Sequence, residues 1–363
     1  MSRCIEAQPP RRREGTVGIE EALDFDEIID ARSPAEFAED HMPGAINLPV
    51  LDNEERARIG TLHKQVSAFE AKKAGAALVS RNIARHLETV LADKPRHYRP
   101  LVYCWRGGNR SGAFTTVLRA IGWNASQLEG GYKAFRRHVI TELETLPARF
   151  DFRVVCGPTG VGKSRFLAAL ADCGAQVLDL ECLAAHMGSV LGAYPDRPQP
   201  AQKRFETRVW QALRKFDAAQ PVFVESESKK IGNLHTPEHL LARMRASSCV
   251  SLEAAIPVRV ALLKQEYAHF LADAEALGRQ LDCLTPLLGR DQVAAWKSQA
   301  HAGHWDELVA DLLIRHYDPA YGRSLGKNFT LAADAPKLVL SAPDPDTVMA
   351  LAREFVSTTS LSG

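Results

Sequence analysis

Cys104 ends an apolar run, Leu101-Val102-Tyr103, and is followed by Trp105-Arg106-Gly107-Gly108-Asn109-Arg110-Ser111-Gly112. A helix-like stretch, Ala113 to Ile121, comes next. A strand that feeds such a loop turns backbone amides and a helix N-terminus toward one point, and that point suits negative charge. Arg106 and Arg110 add to the field, which favours the thiolate of Cys104, the nucleophilic form. A second constellation is Gly157-Pro158-Thr159-Gly160-Val161-Gly162-Lys163-Ser164, between apolar Phe152-Arg153-Val154-Val155-Cys156 and a helical pattern from Arg165 to Ala171. This is the full G-x4-GK[ST] spacing in a strand–loop–helix context. Gly157, Gly160 and Gly162 let amides face phosphate oxygens, Lys163 supplies a point charge, and Ser164 can hold Mg²⁺. Two further apolar runs end in carboxylates, Asp179 and Glu181 on one and Glu225 and Glu227 on the other. Strand C-termini line the ligand crevice of a parallel sheet. Asp179, Glu181, Glu225 and Glu227 are therefore candidates for Mg²⁺ or water positioning, with Ser164, Asp179, Glu181 and Glu225 as the candidate Mg²⁺ ligands. Each carboxylate taken alone suits a helix cap or a solvated strand end equally well.

These loops need cores to hold them. The chain has 363 residues, 45% hydrophobic, enough for two domains. Lys plus Arg is 45 against 44 Asp plus Glu, a net charge of +1. Nucleic-acid binding must then come from local patches. The seven cysteines, Cys4, Cys104, Cys156, Cys173, Cys182, Cys249 and Cys283, form no C-x-x-C pair. A disulfide framework or zinc site is not expected, and a reducing compartment fits. Met1 to Glu14 lacks an apolar run and contains Arg11-Arg12-Arg13. With no apolar segment of membrane-spanning length either, the expectation is a cytoplasmic protein that uses no membrane.

In chain order, residues 1–15 read as a flexible arm. Asp30-Ala31-Arg32-Ser33-Pro34-Ala35-Glu36-Phe37 carries a capping box, Ser33 with Glu36, and a proline at the first helical position. His41-Met42-Pro43-Gly44-Ala45-Ile46-Asn47-Leu48-Pro49 turns into another strand, and Glu54 to Asp93 is helical in pattern. Asp30 to Pro49 resembles the leading signature of rhodanese domains. Tyr103-Cys104 through Arg110-Ser111, with Gly107 and Gly108, resembles their active loop, and Gly130-Gly131-Tyr132-Lys133-Ala134-Phe135 their closing signature. The spacing Cys-x5-Arg is one residue longer than the usual rhodanese loop. It is shared with tyrosine phosphatases, which would place His where Tyr103 stands, and no general acid can be assigned here. The wider loop suits a larger chalcogen donor. Beyond it, Tyr194 to Gln202 reads as a proline-rich lid, Pro257 to Leu284 as one long amphipathic helix, and Lys337 to Ser341 as a last strand.

The expected architecture is α/β throughout. A rhodanese-like domain over 16–140 and a linker over 141–150 precede a P-loop NTPase-like domain with a parallel sheet over 151–322. A C-terminal extension over 323–363 packs on the P-loop domain. Both loops together, with Asp179-Leu180-Glu181, resemble the bacterial tRNA 2-selenouridine synthase family. Cys182 and Met187 depart from the glycine and arginine of that pattern. The resemblance implies a transferase that geranylates the sulfur of wobble 2-thiouridine with geranyl diphosphate. It then exchanges the geranylthio group for selenium from selenophosphate. The acceptors implied are the Lys, Glu and Gln tRNAs. Cys104 would carry the selenium, Arg106 and Arg110 would hold the donor's phosphate, and the P-loop would cradle the prenyl diphosphate with Mg²⁺. Arg136, Arg137, Lys229 and Lys230 would contact tRNA. The residues alone leave open a sulfurtransferase coupled to an ATPase, a Cys-x5-Arg phosphatase, and a non-catalytic tRNA-binding protein.

Overall fold

The computed structural model describes residues 15–360, so the arm expected over 1–15 lies outside the described residues except for Gly15. The chain divides into two compact units, Met1–Glu142 and Leu143–Gly363. No helix among the described residues is long and apolar enough to cross a membrane.

The first unit is built on five parallel strands: β1 (Thr16–Val17), β2 (Glu27–Asp30), β3 (Ile46–Asn47), β4 (Pro100–Tyr103) and β5 (Ser126–Leu128). Their order is β1-β5-β4-β2-β3, which puts β4 in the middle. β4 is buried along its whole length, as its unbroken apolar run requires of a parallel strand covered on both faces. Ser33 opens α1 (Pro34–Glu39) through the capping box, with its amide donating to Glu36 Oε2 at 3.2 Å. The helical stretch after Glu54 is two helices, α2 (Asn53–Gln65) and α3 (Ala68–Glu88), because Ser67 caps the second. α3 and α4 (Asn109–Ile121) pack on the sheet through Leu78, Ile83, Phe114 and Leu118 against Ile29 and Val102. α5 (Gly131–Thr145) and a 3₁₀ turn, Leu146–Arg149, make residues 141–149 helical where a linker was expected.

The second unit carries β6 (Phe152–Cys156), β7 (Gln176–Leu178), β8 (Val222–Glu225), the short antiparallel pair β9 (Lys230–Ile231) and β10 (Leu234–His235), β11 (Ser248–Glu253) and β12 (Lys337–Val339). Its main sheet is parallel with order β12-β11-β6-β8-β7. α6 (Lys163–Asp172), α7 (Leu180–Ala184), α8 (Gln202–Leu213), α9 (Glu238–Arg245) and α10 (Ile256–Glu266) follow in order. The C-terminal helix, Pro345–Ser360, completes the core at Phe166, Leu170, Val348 and Ala352. The long helix expected over 257–284 is instead broken at Tyr267 and Asp273. Asp273 competes for the backbone: its carboxylate accepts from the Ala276 amide at 2.9 Å and starts a new helix. The helices from Ala268 to Leu312 then build a second core around Leu281, Trp296 and Leu308. A single π-helical turn, Leu313–Tyr317, follows it.

Candidate functional site

Cys104 lies at the C-terminal end of the middle strand and is only 3% exposed. Its Sγ accepts hydrogen bonds from the Gly108 amide at 3.3 Å and from Ser111 Oγ at 3.1 Å. Gln127 Nε2 donates to Ser111 Oγ at 2.8 Å and to the Gly108 carbonyl at 3.1 Å, so a β5 side chain steadies the loop. Nothing in the local spacing pointed to Gln127, because its pairing depends on strand order.

The start of α5 holds the loop from behind. The Tyr132 amide donates to the Cys104 carbonyl at 2.8 Å, and the Lys133 amide to the Trp105 carbonyl at 3.0 Å. Gly131 makes this approach possible. At φ +57° a side chain is strained, and a Cβ would stand 2.2 Å from the Cys104 carbonyl oxygen. Below the loop, the buried Arg32 donates to Asp30 Oδ2 and to the Asp40 carbonyl, both at 2.6 Å, with its guanidinium 3.9 Å from the Tyr132 ring. Tyr132 in turn donates to Asp40 Oδ2 at 2.9 Å. The leading and closing signatures thus meet in one buried polar clasp under Cys104.

The two arginines expected to hold an anion are placed differently. Arg106 is exposed. Arg110 is turned toward α1, donating to Glu36 Oε2 at 2.8 Å, and Arg56 Nε reaches the same oxygen at 2.8 Å. Burial alone would raise the Glu36 carboxyl, but the Arg110 hydrogen bonds and charge outweigh it and hold it at about 2. The expected anion-holding Arg110 is thus tied to α1 by a carboxylate distant in the chain. Arg137, Lys229 and Lys230 are exposed, as a tRNA contact requires. Arg136 is not, which corrects its assignment: it is buried, desolvation lowers its proton affinity, and Asp40 attracts it.

In the second unit, the P-loop borders a cavity of about 550 Å³. Gly160, Gly162, Lys163 and Ser164 line it together with Asp179, Glu181, Glu227 and Glu266. Tyr194 and Arg197, from the stretch expected as a lid, also reach it. Lys163 Nζ folds onto its own loop, donating to the Gly157 carbonyl at 2.9 Å. Ser164 Oγ donates to Glu181 Oε2 at 2.8 Å. Asp179 is the N-cap of α7, accepting from the Cys182 amide at 2.7 Å, and burial raises its carboxyl against the pull of that amide and of Arg197.

Glu225 corrects the candidate Mg²⁺ set. It is fully buried and does not border the cavity. Its Oε1 accepts from the Glu181 amide at 2.7 Å, and its Oε2 has no hydrogen-bond partner. Desolvation first, then Asp179, Glu181 and Glu227, push its carboxyl well above its ordinary value, while its Oε1 fixes the Glu181 backbone. Glu227 takes its place at the cavity wall, with burial and then Glu181 raising it to about 8. The 186–193 loop closes on these groups at Gly188, where a Cβ would stand 2.2 Å from Glu181 Oε1 and 2.6 Å from Glu227 Oε1. Among the described residues no three His, Cys, Asp or Glu side chains converge as a ready metal cage. Mg²⁺ does not require one, since it binds through one or two carboxylates with phosphate and water. The hydroxyl and crowded carboxyls of Ser164, Asp179, Glu181 and Glu227 are hard oxygen donors that fit such an ion.

Residues 18–138 match the rhodanese-like domain family, and residues 150–280 match the family described as tRNA 2-selenouridine synthase AAA domain. A tRNA 2-selenouridine synthase of Alcanivorax borkumensis is 34% identical over 329 residues, 83% of this chain and 90% of that protein. One from Hydrogenovibrio crunogenus is 35% identical over 328 residues, 83% and 89% of the two chains. The match to the Nitrosomonas europaea protein of the same name is 35% over 244 residues, 66% of this chain but 63% of that relative's length.

Proposed function

The chain belongs to the tRNA 2-selenouridine synthase family, and on that premise we propose that it replaces sulfur by selenium in the wobble 2-thiouridine of tRNA. The reading has two steps. Geranyl diphosphate first alkylates the sulfur, and selenium from selenophosphate then displaces the geranylthio group. Sulfur on C2 of a uridine is a poor leaving group, and alkylation makes it a good one. The observation that carries the reading is the pairing, in one chain, of two chemically distinct loops: a cysteine whose Sγ accepts two hydrogen bonds, and a P-loop that lines, together with carboxyls, a cavity of about 550 Å³.

Lys163 and the loop amides would hold the diphosphate. A Mg²⁺ ion held by Ser164, Asp179, Glu181 and Glu227 would neutralise charge on the departing pyrophosphate. Cys104 would carry selenium, and Arg106 would meet the donor's phosphate. Arg110 anchors the loop to α1 through Glu36. Arg137, Lys229 and Lys230 are the tRNA contacts assigned, and the Lys, Glu and Gln acceptors are the substrates. Such an enzyme works in the cytoplasm.

The test is mass spectrometry of nucleosides from a 2-thiouridine tRNA incubated with the protein. Parallel reactions contain geranyl diphosphate with Mg²⁺, selenophosphate, both, or ATP alone. A geranylated nucleoside is expected in the first and 2-selenouridine with both. Lys163→Ala should block the first product, and Cys104→Ser only the second. Unchanged tRNA in every reaction, with ATP consumed, would overturn the reading in favour of a sulfurtransferase with an ATPase.

A further inference from the structure

Charge balances over the whole chain, at +1, but not along α2 and α3. Residues 56–87 hold seven Lys and Arg and a single acidic residue, Glu70. Within this stretch Arg56 is taken by Glu36 and Lys73 by Glu70. Arg58, Lys64, Lys72, Arg81 and Arg85 are exposed and form no ion pair among the described residues. Glu54 and Glu55 open α2 and Glu88 ends α3, so these carboxylates gather at the base of the hairpin, away from its turn. At the turn, Val66 and Phe69 are each 69% exposed.

Three sets of contacts hold the hairpin in shape. At its base, Asn82 Nδ2 donates to Glu55 Oε2 at 2.8 Å and to the Val50 carbonyl at 3.1 Å. In its middle the two helices approach closely, since a Cβ on Gly75 would stand 3.6 Å from Ile59 Cγ2. At its turn, Ser67 Oγ accepts from the Phe69 amide at 3.1 Å, and the Ser67 amide donates to the Leu62 carbonyl at 3.1 Å. The backbone that carries Phe69 is therefore fixed while its ring stays in solvent. The apolar stripe of α3, with Leu78, Val79 and Ile83, is used on the core, and Phe69 has no part in it. Cations spread over two helices beside a fixed, solvated ring suit RNA, whose phosphates recur along the backbone and whose unpaired bases stack on aromatic side chains. A protein partner suits the surface less, because lysine is depleted in protein interfaces and only two apolar side chains stand out here.

We propose that the α2–α3 hairpin is a docking surface for folded RNA on the unit that carries Cys104: Lys64, Lys72 and their neighbours take phosphates, and Phe69 takes one unpaired base. The proposal rests on the tRNA reading above and adds the surface that receives the tRNA and the side chain that meets a base. The phosphate contacts supply affinity for any RNA, and the ring favours an RNA with bases outside a duplex.

The experiment is a fluorescence-anisotropy titration of the full chain into a labelled tRNA transcript and a fully paired RNA duplex, over a series of salt concentrations. Phe69→Ala should weaken tRNA binding on the order of tenfold and leave the duplex unaffected, and Phe69→Trp should restore the tRNA affinity. Lys64→Gln combined with Lys72→Gln should weaken both RNAs and reduce the slope of log affinity against log salt by about two. All three positions are exposed, so the fold is not at stake in these variants. Wild-type binding of tRNA that every variant retains in full overturns the hairpin as the docking surface and leaves the tRNA reading standing. A wild type that binds neither RNA overturns both. A Phe69→Ala that weakens the duplex as much as the tRNA removes the base contact. A Phe69→Ala that changes the oligomeric state in light scattering, and not the tRNA affinity, gives the turn to a protein contact and overturns the proposal.

Discussion

Replacing Glu227 with glutamine removes an ionisable group from the P-loop cavity while keeping its shape. Burial first, and the charge and hydrogen bond of Glu181 second, push this carboxyl to about 8 against the pull of Lys163. In the unfolded chain it ionises near its ordinary value of 4.5. Between those values the folded protein binds a proton that the unfolded chain does not. The stability this contributes is complete below about 4.5 and is lost as the pH rises through about 8. At 1.36 kcal/mol per factor of ten, the full span is roughly 5 kcal/mol. Glu181 and Glu225 share the interaction, so one substitution releases a part of it, about 2 kcal/mol. For a unit of this size that is a melting shift of roughly 5 °C. The assay is calorimetric melting of wild type and Glu227→Gln from pH 5.5 to 9 at constant salt. The wild-type Tm should fall across the range, the variant's should fall less, and the variant should be the more stable above pH 8. Parallel curves, or a variant less stable at pH 9, would refute the assignment of the raised proton affinity to Glu227.

Gly131→Ala drives a Cβ to 2.2 Å from the Cys104 carbonyl; it should cost more than about 3 kcal/mol, read as a lowered urea midpoint together with freer alkylation of Cys104. Ser111→Ala removes one of two donors to the sulfur. Alkylation of Cys104 by iodoacetamide at pH 7, followed by intact mass, should slow by about fivefold, and an unchanged rate would deny the hydroxyl its role. Glu36, held at about 2, contributes ion-pair stability that is present above its ordinary 4.5 and lost as the pH falls toward 2. Glu36→Gln should therefore lower stability at pH 7 by about 1 kcal/mol, discounted for the solvent around Arg56, and flatten the acid limb in urea melts at pH 3 to 7.

Both loops were legible in the amino-acid sequence because their chemistry is local. A cysteine between an apolar run and paired glycines, and G-x4-GK[ST] between a strand and a helix, each state their own geometry. The Ser33–Glu36 capping box was legible for the same reason, spanning a single turn. What could not be read depends on distance along the chain. Arg110 meets Glu36 across 74 positions, and Gln127 meets Ser111 across 16, once the sheet has set its order. Glu225 and Glu227 lie two positions apart at the end of β8, both buried, and only the turn in which the Glu227 amide donates back to the Glu225 carbonyl at 2.7 Å, set in the folded chain, leaves the second at the cavity wall. The helical periodicity over 257–284 was real. It did not reveal that Asp273 would spend its carboxylate on a backbone amide and begin a new helix. The small apolar cavity beside the P-loop was hidden because its lining residues are of the same types as a core.

Glu36 has only two carboxylate oxygens, yet it serves the Ser33 amide and hydroxyl, Arg56 and Arg110. Helix initiation and the posture of the cysteine loop are therefore written on one side chain. Substitutions at Ser33, Arg56 and Arg110 should fail to add, since each redistributes the same lone pairs among the others. In a population of variants, a change at one of these positions would be tolerated chiefly alongside a matching change at another, and drift at the helix start would carry the loop with it.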